Sequence, residues 1–412
     1  MSSNNPIVIV GASLAGVQAA ETLRTEGFDG RVILIGDEPN HPYQRPPLSK
    51  GYLSGQADLD DVYVHSTSWY DDQRVEVRTS TTVTAIDPGA HRIALSDGER
   101  VDYYRLLLST GASPRRLDVP GADLDSVHYL RTLADTERLK TAAAKATAVV
   151  VIGAGWIGAE VTASLRHLGL PVTMLDVASV PLERVLGAEV GAIYHALHSD
   201  HGVTLLMGSG VTSLHGSGHI EEVRTTDGRS IPADLVVVGI GATPRTQLAK
   251  AAGLTVENGI VVDEYLRTSA LDIYAAGDVA NAWHPVHGNY LRVEHWANAQ
   301  NQGIAAAPNM LGTPTSYQRI PYFFSDQYDL GMEYSGHATN WDQVVFRGDP
   351  AGREFIAFWL KDGVVVAGMN ANVWDVTDPI QQLIRERAVI DPARLADPDT
   401  SLDALLRDPI SS

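Results

Sequence analysis

Two short strings carry the clearest chemistry. Gly11-Ala12-Ser13-Leu14-Ala15-Gly16 and Gly153-Ala154-Gly155-Trp156-Ile157-Gly158 each follow an apolar run. Both have G-x-G-x-x-G spacing, with Ser13 at the second glycine of the first copy. Such a turn brings backbone N–H groups and the positive end of a helix, about half an elementary charge, against a pyrophosphate. Ser13 is small enough to keep that approach open. An acidic residue roughly 20 positions further on is expected to hold ribose hydroxyls. Asp37 or Glu38 stands there in the first copy and Asp176 in the second. A 2′-phosphate a few ångströms from Asp176 is repelled by about 4 kcal/mol at an effective dielectric of roughly 20. Val177-Ala178-Ser179 supplies no cation to offset that, so the expected nucleotide at the second turn is NADH rather than NADPH. A third string, Ile273-Tyr274-Ala275-Ala276-Gly277-Asp278-Val279, ends an apolar run in Gly-Asp, where a carboxylate can accept hydrogen bonds from a polyol chain. Taken singly, each string also fits a structural turn, and each acid a solvated strand-end carboxylate.

The elements needed to position these residues are legible around them. Ile7-Val8-Ile9-Val10 and Val149-Val150-Val151-Ile152 are continuous and β-branched, as suits strands buried on both faces of a parallel sheet. Residues 15–25 and 157–168 are rich in Ala, Leu and Glu and read as helices, punctuated by Gly27 and Gly169. Runs 32–35 and 172–175 return as strands, giving strand–helix–strand twice. Further strands are expected at 75–78, 92–95, 106–109, 203–206, 220–225, 235–238, 260–262 and 273–276, and a helix at 135–144. From about Pro321 the texture changes to aromatic-rich alternation at 344–347, 355–361 and 364–368, which predicts an antiparallel sheet. Helices are expected at 377–386 and near 401–407.

Composition narrows the class. The chain has 412 residues with 31 basic and 50 acidic side chains, a formal charge of −19. That balance argues against nucleic acid and against an anionic membrane surface as partners. No apolar run approaches the ~18 residues of a membrane span, and the start lacks signal-peptide character, so the cytoplasm is the expected location. There is no cysteine, which removes disulfides, thiolate metal sites and any thiol nucleophile or redox dithiol.

With Leu108-Ser109-Thr110-Gly111-Ala112, the three strings resemble the flavin-dependent pyridine nucleotide reductases of the glutathione-reductase structural class. Within that class, Arg45-Pro46-Pro47-Leu48-Ser49-Lys50, Glu294-His295-Trp296-Ala297-Asn298-Ala299-Gln300-Asn301-Gln302-Gly303 and Pro321-Tyr322-Phe323-Phe324-Ser325-Asp326-Gln327-Tyr328 resemble the oxygenase-coupled, putidaredoxin-reductase-like NADH–ferredoxin reductases. The resemblance runs from about residue 6 to the C-terminus. It implies an α/β fold with two Rossmann-like dinucleotide-binding domains and a C-terminal α+β domain. The implied boundaries are 1–117 with 242–318 for FAD, 118–241 for NAD and 319–412 for the interface domain.

The resemblance also implies roles. FAD contacts fall on Gly11, Ser13, Leu14, Ala15, Gly16, Asp37, Glu38, Arg45, Lys50, Val83, Thr110, Gly111, Arg131, Gly277, Asp278 and Trp296. NADH contacts fall on Gly153, Gly155, Trp156, Ile157, Gly158, Glu160, Asp176, Arg184 and Gly241; the family often has a smaller residue at Trp156. Lys50 and Glu160 are implied as an ion pair beside the flavin, and Trp296 as an aromatic near the flavin and the partner-facing edge. Alternatives at these positions are a surface lysine, a favourable charge on the first turn of a helix and a core aromatic. The implied acceptor is a [2Fe-2S] ferredoxin serving a haem-thiolate monooxygenase or a Rieske dioxygenase. Such ferredoxins are acidic, so a local basic patch is expected, with Arg45, Arg292 and Arg319 as candidates. Other readings are a rubredoxin or small-acceptor reductase, and a slow NADH-sensing flavoprotein acting through protein interaction. His195, His198 and His201 recur at i, i+3, i+6 and read as a solvated helix face in preference to a metal cluster; His284 and His287 read as loop residues. No metal site is expected.

Overall fold

The computed structural model describes residues 5–387 and 389–407. The chain divides into two compact units. The first takes residues through Gln44, then Leu59–Ser113 and Ala242–Pro321; the second takes Arg45–Asp58, Pro114–Gly241 and the chain from Tyr322 onward.

The first unit is built on a five-stranded parallel sheet in the order Ile273–Ala275, Arg105–Leu108, Ile7–Val10, Val32–Ile35, Val75–Arg78. Every residue of the two apolar strands Ile7–Val10 and Val32–Ile35 is buried, as expected of strands covered on both faces. The helix Leu14–Thr25 crosses from the central strand to the next, and the sheet order reverses at Ile7–Val10. Ligands of open α/β sheets bind beside such a reversal, at the carboxyl ends of the strands. The helix Trp296–Met310 packs on Leu14–Thr25 through Gly303, where a Cβ would meet Ala15 O at 2.4 Å. A small antiparallel sheet, Val83–Asp87, Arg92–Leu95 and Arg100–Asp102, belongs to the same unit.

The second unit repeats the architecture. Its parallel sheet runs Thr204–Met207, Val172–Asp176, Val149–Ile152, Leu235–Val238, Val127–Tyr129. Its central strand again leads into a helix, Trp156–His167. The same unit holds a five-stranded antiparallel sheet ordered Tyr322–Gln327, Leu330–Gly336, Val364–Ala371, Glu354–Lys361, Gln343–Asp349. The helix Glu183–Asp200 buries Leu186, Val190, Tyr194 and Leu197 against that sheet's Phe323, Met332, Phe355, Trp359 and Met369. That helix breaks at Gly187, with φ 80°, and the carbonyl of Leu186 accepts the Trp359 indole N–H at 3.1 Å.

The expected elements are present, most with ends moved by one or two residues. Two expectations about histidines are corrected. His198 is not on a solvated face: it is fully buried between its helix and the hairpin at Tyr328. His284 is not in a loop: it ends the strand Ala280–His284, and its Nε2 bonds the Arg319 carbonyl at 2.9 Å.

Candidate functional site

In the first unit the two outer glycines of the leading turn are dictated by packing. Gly11 has φ 121°, and a Cβ there would sit 2.1 Å from Ser109 O; one on Gly16 would sit 2.3 Å from Gly11 O. Ser13 precedes the helix Leu14–Thr25 without capping it through its side chain, and the first turn carries no acid. The helix N-terminus therefore keeps its positive character for an outside anion. Leu14 and Ala15 are buried just beyond. Asp37 follows the next strand and pairs with Arg245, Nη2 to Oδ2 at 2.6 Å, while Glu38 accepts from the Tyr43 hydroxyl. Thr110 and Gly111 follow the strand Arg105–Leu108 and are laced to the same Arg245, Oγ1 to its carbonyl at 2.9 Å and Gly111 O from its N–H at 2.9 Å. Gly277, with φ 79°, follows Ile273–Ala275; its N–H donates to Gln302 at 2.8 Å and half-buried Asp278 comes next. These residues gather at the carboxyl edge of one sheet. Trp296 starts its helix, half-buried, with its indole N–H on Gln44 Oε1 at 3.1 Å. Val83 opens a strand and belongs to the buried core.

The second unit's turn follows the same logic. A Cβ on Gly153, with φ 103°, would meet Gly239 O at 2.4 Å, and one on Gly158 would meet Gly153 O at 1.9 Å. Gly155 differs. It is exposed, its φ is ordinary at −76°, and a Cβ there meets nothing within 4 Å. Among the described residues, none stands where a side chain here would clash. Ile157 is exposed beside it, and Asp176 ends its strand with its carboxylate accepting the N–H groups of Ala154 at 2.7 Å and Ala178 at 2.9 Å. Gly241 lies past Leu235–Val238 with φ 106°, and Arg184 is exposed on the first turn of Glu183–Asp200. Trp156 packs edge-on against Phe323, with ring centroids 4.7 Å apart, and against Tyr194 at 6.1 Å. Arg45 donates to the Arg131 carbonyl, and Arg131 N–H to Asp135 at 3.1 Å.

The densest chemistry in this unit surrounds Glu160. The sequence suggested a charge on the first helical turn; the residue instead lies in the second turn of Trp156–His167 and is 6% exposed. Its Oε2 accepts from Ser49 at 2.6 Å, and its Oε1 accepts from Ser325 at 2.8 Å and lies 3.5 Å from the Lys50 ammonium. Lys50 also approaches Asp326 at 3.7 Å and stands over the Phe324 ring at 4.4 Å. Burial pushes the Glu160 carboxyl above its ordinary value, against the opposing charge of Lys50 and the two hydroxyls. Ser164 Oγ donates to Ser49 O at 2.7 Å and so fixes the backbone that carries Lys50.

Residues 5–303 match the pyridine nucleotide-disulphide oxidoreductase family, and residues 322–406 match the reductase C-terminal family. The chain belongs to the pyridine nucleotide-disulphide oxidoreductase family. It is 40% identical to the anthranilate 1,2-dioxygenase system ferredoxin–NAD(+) reductase component of Burkholderia cepacia, over 98% of this chain and 100% of that one. It is 38% identical to rhodocoxin reductase of Rhodococcus erythropolis, over 96% and 93% of the two chains. The reductase in the covalent putidaredoxin reductase–putidaredoxin complex superimposes with a TM-score of 0.93 at 35% identity, covering 100% of both chains.

Membership makes the protein an oxidoreductase that uses FAD and NAD(H). The residues fit those nucleotides: both turn-following helices start without a side-chain cap or an acid, and Gly155 leaves open space where a side chain would stand. The family's disulphide chemistry is closed to this member, which has no cysteine. Of the positions given roles in the sequence, Lys50 and Glu160 do meet. Sequence reasoning gave no role to Ser49, Phe324, Ser325 and Asp326, although all four lie inside strings that carried the resemblance. Of the three candidate arginines for a basic patch, Arg292 is paired with Glu294, while Arg319 is exposed. Among the described residues, no helix is long and apolar enough to cross a membrane.

Proposed function

We propose that this protein moves electrons from NADH through FAD to a [2Fe-2S] ferredoxin, which then serves a haem-thiolate monooxygenase or a Rieske dioxygenase in the cytoplasm. The observation that carries this reading is likeness along 98% of the chain to the ferredoxin–NAD(+) reductase component of a dioxygenase system and to a putidaredoxin reductase. The missing cysteines agree with it, because the electrons have to leave the chain.

FAD, when bound, accepts an electron pair from NADH and releases it in single steps to a one-electron carrier. The chain supplies binding and field. In this reading residues 1–117 and 242–318 hold FAD, 118–241 hold NADH and 319–412 face the partner. Gly11, Ser13, Leu14, Ala15 and Gly16 receive the FAD pyrophosphate, with Asp37, Glu38, Arg45, Val83, Thr110, Gly111, Arg131, Gly277 and Asp278 along the rest of that nucleotide. Gly153, Gly155, Trp156, Ile157 and Gly158 receive NADH, with Arg184 and Gly241 at its flanks. Asp176 favours the 2′-hydroxyl of NADH over a 2′-phosphate. Lys50, held by Glu160, would place a fixed positive charge beside the flavin, and Trp296 would lie near that ring system.

The test is anaerobic rapid mixing of the purified yellow protein. NADH bleaches the flavin, and the reduced protein then reduces a [2Fe-2S] ferredoxin many-fold faster than rubredoxin or a quinone. Preference for rubredoxin or quinone overturns the acceptor, and bleaching without onward transfer to any carrier overturns the enzyme reading in favour of a sensor.

A further inference from the structure

Glu160 stands at the end of a buried line of side chains that extends well beyond its contact with Lys50. Ser325 donates to it at 2.8 Å. Gln327 Nε2 donates to Ser325 Oγ at 3.3 Å, and Gln327 Oε1 faces His198 Nε2 at 3.0 Å. His198 Nδ1 faces the Tyr328 hydroxyl at 3.2 Å. Ser325, Gln327 and His198 are each no more than 2% exposed. The strand's two-residue period turns Ser325 and Gln327 to one face, and Asp326 is exposed between them.

The direction of the line follows from its chemistry. An amide oxygen only accepts, so His198 carries its proton on Nε2. Nδ1 then only accepts, so Tyr328 donates to it. Each link, Tyr328 to His198, His198 to Gln327, Gln327 to Ser325, Ser325 to Glu160, points its hydrogen toward the carboxylate. Hydrogen bonds aligned in this way polarise one another. A second observation marks the far end as built. Tyr328 holds φ 57°, a left-handed conformation costly for a bulky residue, at the two-residue hairpin before Leu330. It is held there by His198 and by stacking on His201, with centroids 3.8 Å apart and planes 11° from parallel.

We propose that Tyr328, His198, Gln327 and Ser325 are positioning residues that set the charge and orientation of Glu160, and through it the placement of Lys50. The proposal rests on the reading of Lys50 and Glu160 as the reacting pair. Other groups face this line. Lys50 and, beyond it, Asp326 face Glu160 from one side and Tyr194 from the helix Glu183–Asp200. His195 and His201 face His198, and Arg166 faces Tyr328. Burial holds His198 neutral, down at about 4, and pushes the Tyr328 hydroxyl up, so both keep their roles across the working range.

The test uses the FAD-loaded protein in two measurements. Nitrogen NMR of the wild type should show His198 as the neutral Nε2–H tautomer. Infrared difference titration should follow the Glu160 carboxyl, its band identified by loss in Glu160→Gln. Removing a donor to the carboxylate favours its protonated form, so Ser325→Ala shifts this titration upward by about one unit, equivalent to about 1.4 kcal/mol, and His198→Leu, acting through Gln327 and Ser325, shifts it the same way by a smaller, resolvable amount. The acid limb of flavin reduction moves with it. His198→Gln keeps a donor toward Gln327 and restores the wild-type value. In the Ser325→Ala background, His198→Leu adds nothing. An Nδ1–H tautomer overturns the proposal, as does a Glu160 titration unmoved by His198→Leu. If His198→Leu fails to fold, the tautomer and Ser325→Ala decide. If instead Glu160→Gln leaves flavin reduction unchanged while the titration shifts as described, the chain stands and the reading of the reacting pair falls.

Discussion

At the scale of single residues, Lys50 is defined by what surrounds it. Its side chain is 16% exposed, it has carboxylates at 3.5 and 3.7 Å, and an aromatic face lies at 4.4 Å. A lysine held on three sides has lost most of its rotamer freedom, which suits a fixed charge and not a solvated one. Lys50→Met keeps the stem and removes the ammonium. We expect FAD content to remain normal and the limiting rate of flavin reduction by NADH in stopped flow to fall between about 10- and 100-fold, the effect of a charge-assisted contact of about 1.5–3 kcal/mol. An unchanged rate removes Lys50 from the mechanism. The sequence placed Lys50 beside Glu160 only through resemblance. It had no means of showing that Glu160 is buried, because the hydroxyls that make burial tolerable come from Ser49 and Ser325, 111 and 165 residues away in the chain. His198 was misread for the same reason. Its helical period matches a solvated face, and Gln327 of the hairpin that covers it stands 129 residues later.

At the scale of elements, the two glycine turns separate two demands that one motif merges. Gly153 and Gly158 serve packing, since a Cβ on either would strike a backbone oxygen within 2.4 Å. A Cβ on Gly155 would strike none of the described residues, so the space above it is open. Gly155→Ala should therefore leave thermal unfolding within about 0.5 kcal/mol of wild type. The same change should raise the KM for NADH by tenfold or more, with FAD content unchanged. Gly158→Ala should cost about 1–3 kcal/mol or more and lower the yield of folded protein. Equal effects of the two changes would show that the turn acts only as structure. The strand–helix–strand units around these turns were legible because β-branched runs buried on both faces and Ala-rich helices have distinct periods. Shorter strands such as Val83–Asp87 were not, since only two of its five side chains are buried and the alternation is weak.

At the scale of the whole molecule, the two strand–helix–strand units were readable from the repeated turn, but the packing of one segment was not. Arg45–Asp58 follows the first nucleotide fold in sequence and packs with the second unit. Ser49 bonds Glu160, its carbonyl accepts from Ser164, and Tyr52 donates to Glu137. A composition scan sees only Pro-Pro and a lysine there, because the partners that decide its allegiance are more than 80 residues on. The same long view fixes how many electrons the chain can hold. A disulphide reductase of this fold stores reducing equivalents in a dithiol as well as in its flavin, and this chain has no sulfhydryl at all. A dithiol is therefore not available to store a second electron pair. Anaerobic titration with dithionite should reach full bleaching at one two-electron equivalent per bound FAD, and alkylation with N-ethylmaleimide should change neither this endpoint nor turnover. A second equivalent taken up before free dithionite accumulates would reveal another redox centre, and with it a different route for electrons out of the protein.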